Sequence, residues 1–259
     1  MTAREAIAEA ERRLGAAGID TPRVDAEIIV AHVLGVSRTQ LYADLDRGVE
    51  GLEPLLARRE GREPLAYVLG EWGFRRLTLK TDARALVPRP ETETLVERAL
   101  ALLAGVEAPR VLDVGVGSGA IALAIKDERP DAHVTGVDES PDALALAREN
   151  AGRLGLGVEL REGGLETVQH GWDLVVSNPP YVDTLEGLQP ELRYEPEMAL
   201  VGSGFHERLA EAARTRALAL EVGDGQAERV AAALESLAYQ NVIVTADLSG
   251  IGRVVEGVR

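Results

Sequence analysis

Apolar residues recur at helical spacing near the start of the chain. Within residues 3–17 they fall on one face of a helix, at Ala3, Ala6, Ile7, Ala10, Leu14 and Ala17. Thr21-Pro22 predicts the start of a second helix that ends at Gly35, because proline fits a first helical turn and glycine fits a C-cap. A further helix is predicted over residues 52–59. Residues 1–70 carry no cofactor motif, and we predict that they form a small helical domain.

A short apolar alternation follows this helical region. Phe74, Leu77 and Leu79 predict a pair of short strands over residues 72–81. Pro88-Arg89-Pro90 is predicted to be extended, since each proline fixes its own φ and restricts the residue before it. We therefore assign residues 71–90 to a β-hairpin and linker, which leads into a helix that begins near Glu91.

From residue 110 onward the pattern alternates between strands and helices. Strands are predicted over residues 110–114, 133–138, 158–161, 172–177, 217–222, 241–246 and 253–258, and helices over residues 120–127 and 141–154. This alternation is typical of an α/β fold in which a doubly wound, mostly parallel sheet is covered by helices on both faces. We expect residues 91–259 to form this domain, with residues 253–258 as an edge strand.

Composition narrows the classes of protein to which the chain can belong. With 46% hydrophobic residues and no apolar run of about 18 residues, we expect a globular protein without a membrane span. The absence of cysteine excludes disulfides and thiolate metal sites, and the four histidines are too scattered to hold a metal. The charged N-terminus is not typical of a signal peptide, so we expect a cytoplasmic location. A net charge of −15 favours a protein partner over nucleic acid.

A glycine-rich turn connects the strand at residues 110–114 with the next helix. Gly115, Gly117 and Gly119 allow the backbone to approach a ligand closely. Asp138 ends the following strand, where its two oxygens can accept hydrogen bonds from both hydroxyls of a ribose. Nicotinamide and flavin cofactors prefer the spacing G-x-G-x-x-G, which places a pyrophosphate at a helix N-terminus. The spacing G-x-G-x-G found here instead favours S-adenosylmethionine, which has no phosphate.

The tetrapeptide Asn178-Pro179-Pro180-Tyr181 follows the strand at residues 172–177 and is the most specific feature of the sequence. An amide nitrogen is a poor nucleophile because its lone pair is delocalised. Two acceptors that hold both of its N–H bonds can direct the lone pair at an electrophile. The Asn178 side-chain oxygen and the Pro179 carbonyl can supply these acceptors, and the Tyr181 ring can stack on a planar target. In a doubly wound sheet this turn would face the glycine-rich turn across one crevice.

With these motifs the chain resembles the HemK/PrmC methyltransferases, which methylate the glutamine in the Gly-Gly-Gln loop of peptide chain release factors. The resemblance covers nearly the whole chain, through residues 62–70, 86–93, 113–123, 137–138, 177–181, 193–196 and 221–223. The first two stretches lie upstream of the catalytic motifs, and they distinguish this family from other enzymes with an Asn-Pro-Pro-Tyr turn. One departure is Gly164, which stands where the family usually carries an acidic residue near the adenine.

The resemblance implies a Rossmann-like class I methyltransferase with N-terminal helices that dock the release factor. We also expect the protein to work as a monomer. It implies that S-adenosylmethionine is bound by Gly115, Val116, Gly117, Ser118, Gly119, Asp138, Leu165 and Asn178. It also implies that the glutamine amide is held by Asn178, Pro179, Pro180 and Tyr181, of which Asn178, Pro179 and Tyr181 are catalytic. Two alternatives stay open: an amino-methylating enzyme that acts on DNA or RNA, and a binding module of the same fold that has lost turnover.

Overall fold

The computed structural model describes residues 1–169, 171–184 and 186–259 and divides the chain into two compact units. The first unit comprises Met1–Glu71 together with Gln189–Tyr194, and the second comprises Trp72–Leu188 together with Glu195–Arg259. His170, which was counted above among the scattered histidines, lies outside the described residues.

The first unit is helical, as the apolar spacing predicted. Its helices are α1 (Ala3–Ala16), α2 (Pro22–Leu34), α3 (Arg38–Leu41), α4 (Glu53–Glu60) and α5 (Leu65–Leu69). Helix α1 begins at a capping box in which Thr2 accepts a hydrogen bond from the Glu5 backbone N–H and Glu5 accepts one from that of Thr2. Helix α2 has Pro22 in its first turn and ends at Gly35, whose φ of 65° is left-handed. The buried faces of these helices form one core.

A short segment from far along the chain belongs to this helical unit. Residues Pro190–Tyr194 form a 3₁₀ turn, in which Glu191 accepts hydrogen bonds from Arg59 at 3.0 Å and from Arg62 at 2.8 Å. Arg59 is buried and also donates to Asp25 at 2.7 Å. Nothing in the local pattern of residues 190–194 predicted this return, because its ion pairs join residues that are more than a hundred positions apart.

A hairpin and a seven-stranded sheet follow. The hairpin pairs β1 (Glu71–Phe74) with β2 (Leu77–Lys80). The later elements are α6 (Thr92–Leu102), β3 (Arg110–Val114), α7 (Ala120–Glu128), β4 (His133–Asp138), α8 (Pro141–Leu154), β5 (Glu159–Glu162), β6 (Trp172–Ser177), α9 (Glu197–Leu200), α10 (Phe205–Ala212), β7 (Thr215–Glu221), α11 (Ala227–Ser236), β8 (Gln240–Ala246) and β9 (Gly252–Val258). The strand order is β5-β4-β3-β6-β7-β9-β8.

Strands β3 to β7 are parallel, which confirms the predicted doubly wound sheet, but one detail of the prediction was wrong. We expected residues 253–258 at an edge, whereas β9 lies between β7 and β8 and is antiparallel to both. The edge strand on this side of the sheet is β8, whose side chains are mostly exposed. Four consecutive residues of β9, Val254 to Gly257, are buried, so packing on both faces explains its inner position.

The two faces of the sheet carry separate cores. Alternate residues of each strand point to opposite faces, so Val111 packs with α6, α7 and α8, whereas Leu112 packs with α10 and α11. Leu174 and Val175 of β6 divide between the faces in the same way. Within the described ranges, no helix has both the length and the apolar character that crossing a membrane requires.

The buried ion pairs of Arg59 generate the first prediction. We expect Arg59→Met to lower the free energy of unfolding by about 3 kcal/mol, because it leaves the buried Asp25 carboxylate and the half-buried Glu191 carboxylate without this partner. The matched control is Arg4→Met, which removes an exposed pair with Asp46 at 4.0 Å and should change little. Urea unfolding followed by far-UV circular dichroism measures both. Equal effects of the two substitutions would contradict a stabilising role for the Arg59 contacts.

Candidate active site

The glycine-rich turn and the Asn-Pro-Pro-Tyr turn leave the carboxyl ends of two neighbouring strands. Strand β3 pairs with β6 in parallel, and Asp113 lies opposite Val176. The Ser177 hydroxyl donates a hydrogen bond of 2.6 Å to the Val114 carbonyl, which ties the last residues of the two strands together. Because β4 and β6 lie on opposite sides of β3, this is the switch point of the sheet, where a crevice opens for ligands.

The glycine-rich turn has a backbone that requires glycine. Gly115, Gly117 and Gly119 have φ angles of 76°, 54° and 89°, all in the left-handed region. At Gly119 a Cβ atom would also lie 2.9 Å from Leu123 Cδ1, too close for a real contact. The backbone N–H groups of Gly115 and Val116 both donate to the Val137 carbonyl at 2.9 Å, so the turn is fastened to the end of β4.

Asp138 ends β4 beside this turn. Its Oδ2 atom accepts a hydrogen bond of 2.9 Å from the Gly117 N–H, and its Oδ1 atom accepts one of 2.9 Å from the Ser140 N–H. Each carboxylate oxygen can accept a second hydrogen bond. The side chain therefore positions the turn and still has acceptors for a pair of hydroxyls.

A second carboxyl group lies beneath the turn. Asp113 is fully buried, and its Oδ2 atom accepts a hydrogen bond of 3.0 Å from the Ala122 N–H in the first turn of α7. Burial raises the pKa of Asp113 to about 7. In the described part of the chain its Oδ1 atom has no hydrogen-bond partner. Asp113 thus braces the start of α7 from below the glycine-rich turn.

The Asn178 side chain is held by one end only. Its Nδ2 atom donates a hydrogen bond of 3.2 Å to the Thr92 hydroxyl at the start of α6. Among the described residues, no hydrogen-bond donor is paired with Asn178 Oδ1 or with the carbonyl oxygen of Pro179. The two acceptors that the sequence analysis assigned to an amide are therefore available in this structure.

Tyr181 and Pro180 are held by contacts with neighbouring loops. The Tyr181 carbonyl accepts a hydrogen bond of 3.0 Å from Gln226 Nε2, and burial raises the pKa of the Tyr181 hydroxyl. A Cβ atom at Gly223 would lie 2.9 Å from the Tyr181 ring, and one at Gly202 would lie 2.7 Å from Pro180 Cγ. Both glycines therefore allow neighbouring loops to clamp the Asn178–Tyr181 turn.

These turns line one solvent-open cleft. Seven of the predicted site residues line it, namely Gly115, Val116, Gly117, Ser118, Asp138, Asn178 and Pro180. Gly119, Pro179 and Tyr181 stand next to lining residues in the same two turns. Leu165 is not in the lining: it begins a 3₁₀ turn and packs against the core under α10 and α11. Its assignment to the cofactor stays a prediction.

The segment from Arg84 to Arg89 forms another wall of the cleft. The buried Glu195 carboxylate accepts a hydrogen bond of 3.1 Å from the Val87 N–H and pairs with the Arg89 guanidinium. Burial raises the pKa of Glu195, although Arg89 opposes that effect. Glu195 therefore anchors this wall, and it leaves Arg89 partly exposed at the cleft.

Gly164, the departure noted in the sequence, lies beside two glutamates. Its N–H donates a hydrogen bond of 2.8 Å to the Glu166 carboxylate, and a Cβ atom at this position would lie 2.6 Å from Glu139 Oε1. A side chain at position 164 would therefore collide with Glu139 unless that glutamate moved.

Sequence reasoning missed two polar residues near Asn178. Thr92 lines the cleft, and Glu221 is buried at the end of β7. Burial raises the pKa of Glu221 to about 7, and the Thr92 side chain opposes that effect. A signal for Glu221 was available, since it is an ionisable residue directly after the apolar run 217–220. No group of three or more metal-ligating side chains was found over residues 1–169, 171–184 and 186–259.

Two protein families match the chain. The family described as PrmC N-terminal domain matches residues 5–70, and the family described as methyltransferase small domain matches residues 92–192. The first covers most of the helical unit, and the second includes the glycine-rich turn, Asp138 and the Asn178–Tyr181 turn.

Several similar proteins share almost the full length of the chain. The release factor glutamine methyltransferase of Deinococcus radiodurans is 43% identical, over 100% of this chain and 99% of the relative. The protein of the same name from Geobacter sulfurreducens is 40% identical, over 93% of this chain and 90% of the relative. That from Caulobacter vibrioides is 38% identical, over 100% and 97%.

Solved structures with low sequence identity share the fold. The hMettl16 catalytic domain, solved in complex with a hairpin of the MAT2A 3'UTR, is 13% identical with a TM-score of 0.58, over 79% of this chain and 80% of that one. A methyltransferase from Pyrococcus furiosus is 18% identical with a TM-score of 0.50, over 70% and 87%. Identity over the full length, rather than the shared fold, decides the family. The chain belongs to the family of release factor glutamine methyltransferases.

Proposed function

We propose that this protein transfers a methyl group from S-adenosylmethionine to the side-chain amide nitrogen, N5, of the glutamine in the Gly-Gly-Gln loop of peptide chain release factors. The observation that carries the proposal is the pair of unengaged acceptors, Asn178 Oδ1 and the Pro179 carbonyl, beside a glycine-lined cleft. The protein is expected to act in the cytoplasm as a monomer, without a metal and without nucleic acid or membrane as a partner.

The cofactor is assigned to the cleft between the glycine-rich turn and Asp138. The left-handed glycines leave room for a nucleoside against the backbone, and Asp138 retains acceptors for two ribose hydroxyls. S-adenosylmethionine supplies an electrophilic methyl group on a sulfonium. Gly115–Gly119 and Asp138, with Asn178 nearby, would hold this group, and Leu165 is proposed as a further contact on the adenine side.

The Asn178–Tyr181 turn is assigned to the glutamine amide. Asn178 Oδ1 and the Pro179 carbonyl would each accept one N–H of that amide, which turns its lone pair toward the methyl donor. The rigid Pro179-Pro180 backbone keeps the acceptors in place, and the Tyr181 ring would pack on the planar amide. Rate enhancement in this arrangement comes from positioning and hydrogen bonding, without a covalent intermediate.

The helical unit is proposed to dock the release factor. A Gly-Gly-Gln loop offers little surface, so affinity for a whole factor requires contacts remote from the reacting amide. The helices contain no candidate chemistry, and they present exposed apolar side chains such as Val24 and Tyr42. Exposed apolar residues of this kind fit a protein partner.

The cofactor assignment predicts the effect of Asp138→Ala. We expect the dissociation constant for S-adenosylmethionine, measured by titration calorimetry, to rise by about ten- to a hundredfold, since a charged acceptor contributes about 1.5–3 kcal/mol. The control is Asp131→Ala, which removes an exposed carboxylate just before the other end of β4 and should leave affinity unchanged. Unchanged affinity in Asp138→Ala would show that the ribose site is misplaced.

The amide-holding role predicts the effect of Asn178→Ala. We expect kcat to fall to about a few per cent of the wild-type value or less, because the lost acceptor acts on the reacting nitrogen. Thermal unfolding should be little changed. The measurement is transfer of labelled methyl to purified release factor, with total RNA and DNA offered separately. With the wild-type protein, label on nucleic acid alone would favour the amino-methylating alternative, and no transfer to any substrate would favour a binding module.

The docking role predicts a difference between two substrates. We expect Val24→Glu to raise KM for the whole release factor about fivefold or more while kcat/KM for a short Gly-Gly-Gln peptide stays unchanged. Leu248→Glu is the control, because Leu248 is an exposed apolar residue of the second unit. Equal activity of Val24→Glu and wild type on the whole factor would remove this part of α2 from the docking surface.

A further inference from the structure

Thr92 lies between two polar side chains that the sequence does not connect. It accepts a hydrogen bond of 3.2 Å from Asn178 Nδ2. Its hydroxyl also acts on the Glu221 carboxyl, because burial raises the pKa of that group and Thr92 lowers it. The pairing of β6 and β7 explains this meeting: Ser177 lies opposite Leu220, so Asn178 and Glu221 are the next residues on two parallel neighbours. Thr92 and Glu221 are both buried, so water does not compete freely for these bonds.

The chemistry of the three groups fixes the direction of the hydrogen bonds. An ionised carboxylate can only accept, so a hydrogen bond between the Thr92 hydroxyl and an ionised Glu221 uses the single hydroxyl proton. The hydroxyl then has only lone pairs to offer to Asn178, and the amide must present Nδ2 to it. As a result, Asn178 Oδ1 is directed away from Thr92 and remains available as an acceptor.

Without this constraint the Asn178 amide has two orientations of similar shape. The terminal torsion of asparagine is broad and roughly two-fold, so exchange of the oxygen and nitrogen positions has little steric cost. In the exchanged orientation Nδ2 would point at the position of the substrate N–H groups, and a donor would face donors. An interaction that selects one orientation of Asn178 therefore favours binding of a substrate amide.

We propose that Glu221 and Thr92 are positioning residues that set the orientation of the Asn178 amide through a directed chain of hydrogen bonds, Asn178 to Thr92 to Glu221. The inference rests on the proposed function, in which Asn178 Oδ1 accepts an N–H of the substrate amide. It adds to that function a reason for the buried carboxylate at the end of β7, whose Oε2 atom has no hydrogen-bond partner among the described residues.

The chain of hydrogen bonds depends on the charge of Glu221. Burial raises the pKa of this carboxyl to about 7; the Thr92 hydroxyl and the cations of Arg253 and Arg89 lower it, and the nearby Glu91 raises it. Tyr181 also faces this group, and its hydroxyl stays neutral because burial raises its pKa. His206 of α10 is hydrogen-bonded to the Glu221 carbonyl at 2.8 Å, and burial lowers the pKa of its imidazole. A protonated Glu221 can donate to Thr92, which frees the hydroxyl proton for Asn178 Oδ1 and reverses the chain. Activity should therefore decrease as pH falls through about 7.

The first experiment compares Thr92→Val with Thr92→Ser in the full-length enzyme, with purified release factor as substrate. Valine keeps the shape of the side chain and removes the hydroxyl, so we expect kcat to fall about tenfold, the effect of one orienting hydrogen bond. The KM for S-adenosylmethionine should stay within about twofold of wild type, since the lost bond acts on the amide acceptor. Serine retains the hydroxyl and should restore most of kcat. Equal kcat in Thr92→Val and wild type would overturn the proposal.

The second experiment measures the pH dependence of kcat in Glu221→Gln. The glutamine oxygen still accepts from Thr92 but does not titrate, so the decrease in kcat between pH 8 and pH 6 that we expect for wild type should be much smaller. A simple structural defect would lower the melting temperature, whereas Glu221→Gln is expected to raise it. Because burial raises the folded pKa of Glu221 from 4.5 to about 7, wild type loses stability as pH rises from about 4.5 to about 7. The melting temperature of Glu221→Gln relative to wild type should therefore rise from pH 5.5 to about pH 7 and then level off.

An undiminished decrease in kcat at acid pH in Glu221→Gln would overturn the role of Glu221. These outcomes are distinct from failure of the proposed function. If wild type does not methylate the glutamine of release factors, the proposed function fails before any variant is compared. If wild type is active and both Thr92→Val and Glu221→Gln behave like it, only the positioning role fails.

Discussion

The structure depends on the parallel pairing of β3 with β6 at the centre of the sheet. This pairing brings two chain segments, the glycine-rich turn and the Asn178–Tyr181 turn, to the same sheet edge, although more than fifty residues separate them. The Ser177 hydroxyl on the Val114 carbonyl fixes their relative height. The other features of the site lie around these two turns. They are the hydrogen bond from Gly115 to the end of β4, the hydrogen bond from the start of α7 to Asp113, and the cleft itself.

The site is built around carboxyl groups whose burial opposes ionisation. Asp113, Glu195 and Glu221 are all buried, and burial raises the pKa of each. Asp113 and Glu195 each accept a hydrogen bond from a backbone N–H, that of Ala122 in the first turn of α7 and that of Val87. Glu221 lies where the Thr92 side chain lowers its pKa. Burying these acids costs folding free energy. Functional sites retain such a cost where the geometry of the site matters more than stability.

Family membership and geometry support each other through different observations. Full-length identity of 43% to a release factor glutamine methyltransferase assigns the family, whereas the cleft and its unengaged acceptors are the observations that support the proposed chemistry. Gly164 is an example of the difference. In the sequence, a glycine stands where the family usually has an acidic residue. In the structure, Glu139 and Glu166 lie against Gly164, so the region keeps its acidic character.

The sequence by itself determined the features that depend on neighbouring residues. Helical spacing in residues 3–17, the strand and helix alternation after residue 110, the left-handed glycines and the rigid Asn178–Tyr181 turn are local, because each follows from periodicity or from the conformations open to glycine and proline. The tertiary structure alone decided the place of β9 inside the sheet, the return of residues 190–194 to Arg59, and the meeting of Thr92, Asn178 and Glu221. Those contacts join residues up to 132 positions apart. Strand pairing and the packing of both faces of the sheet determine which buried groups come into contact.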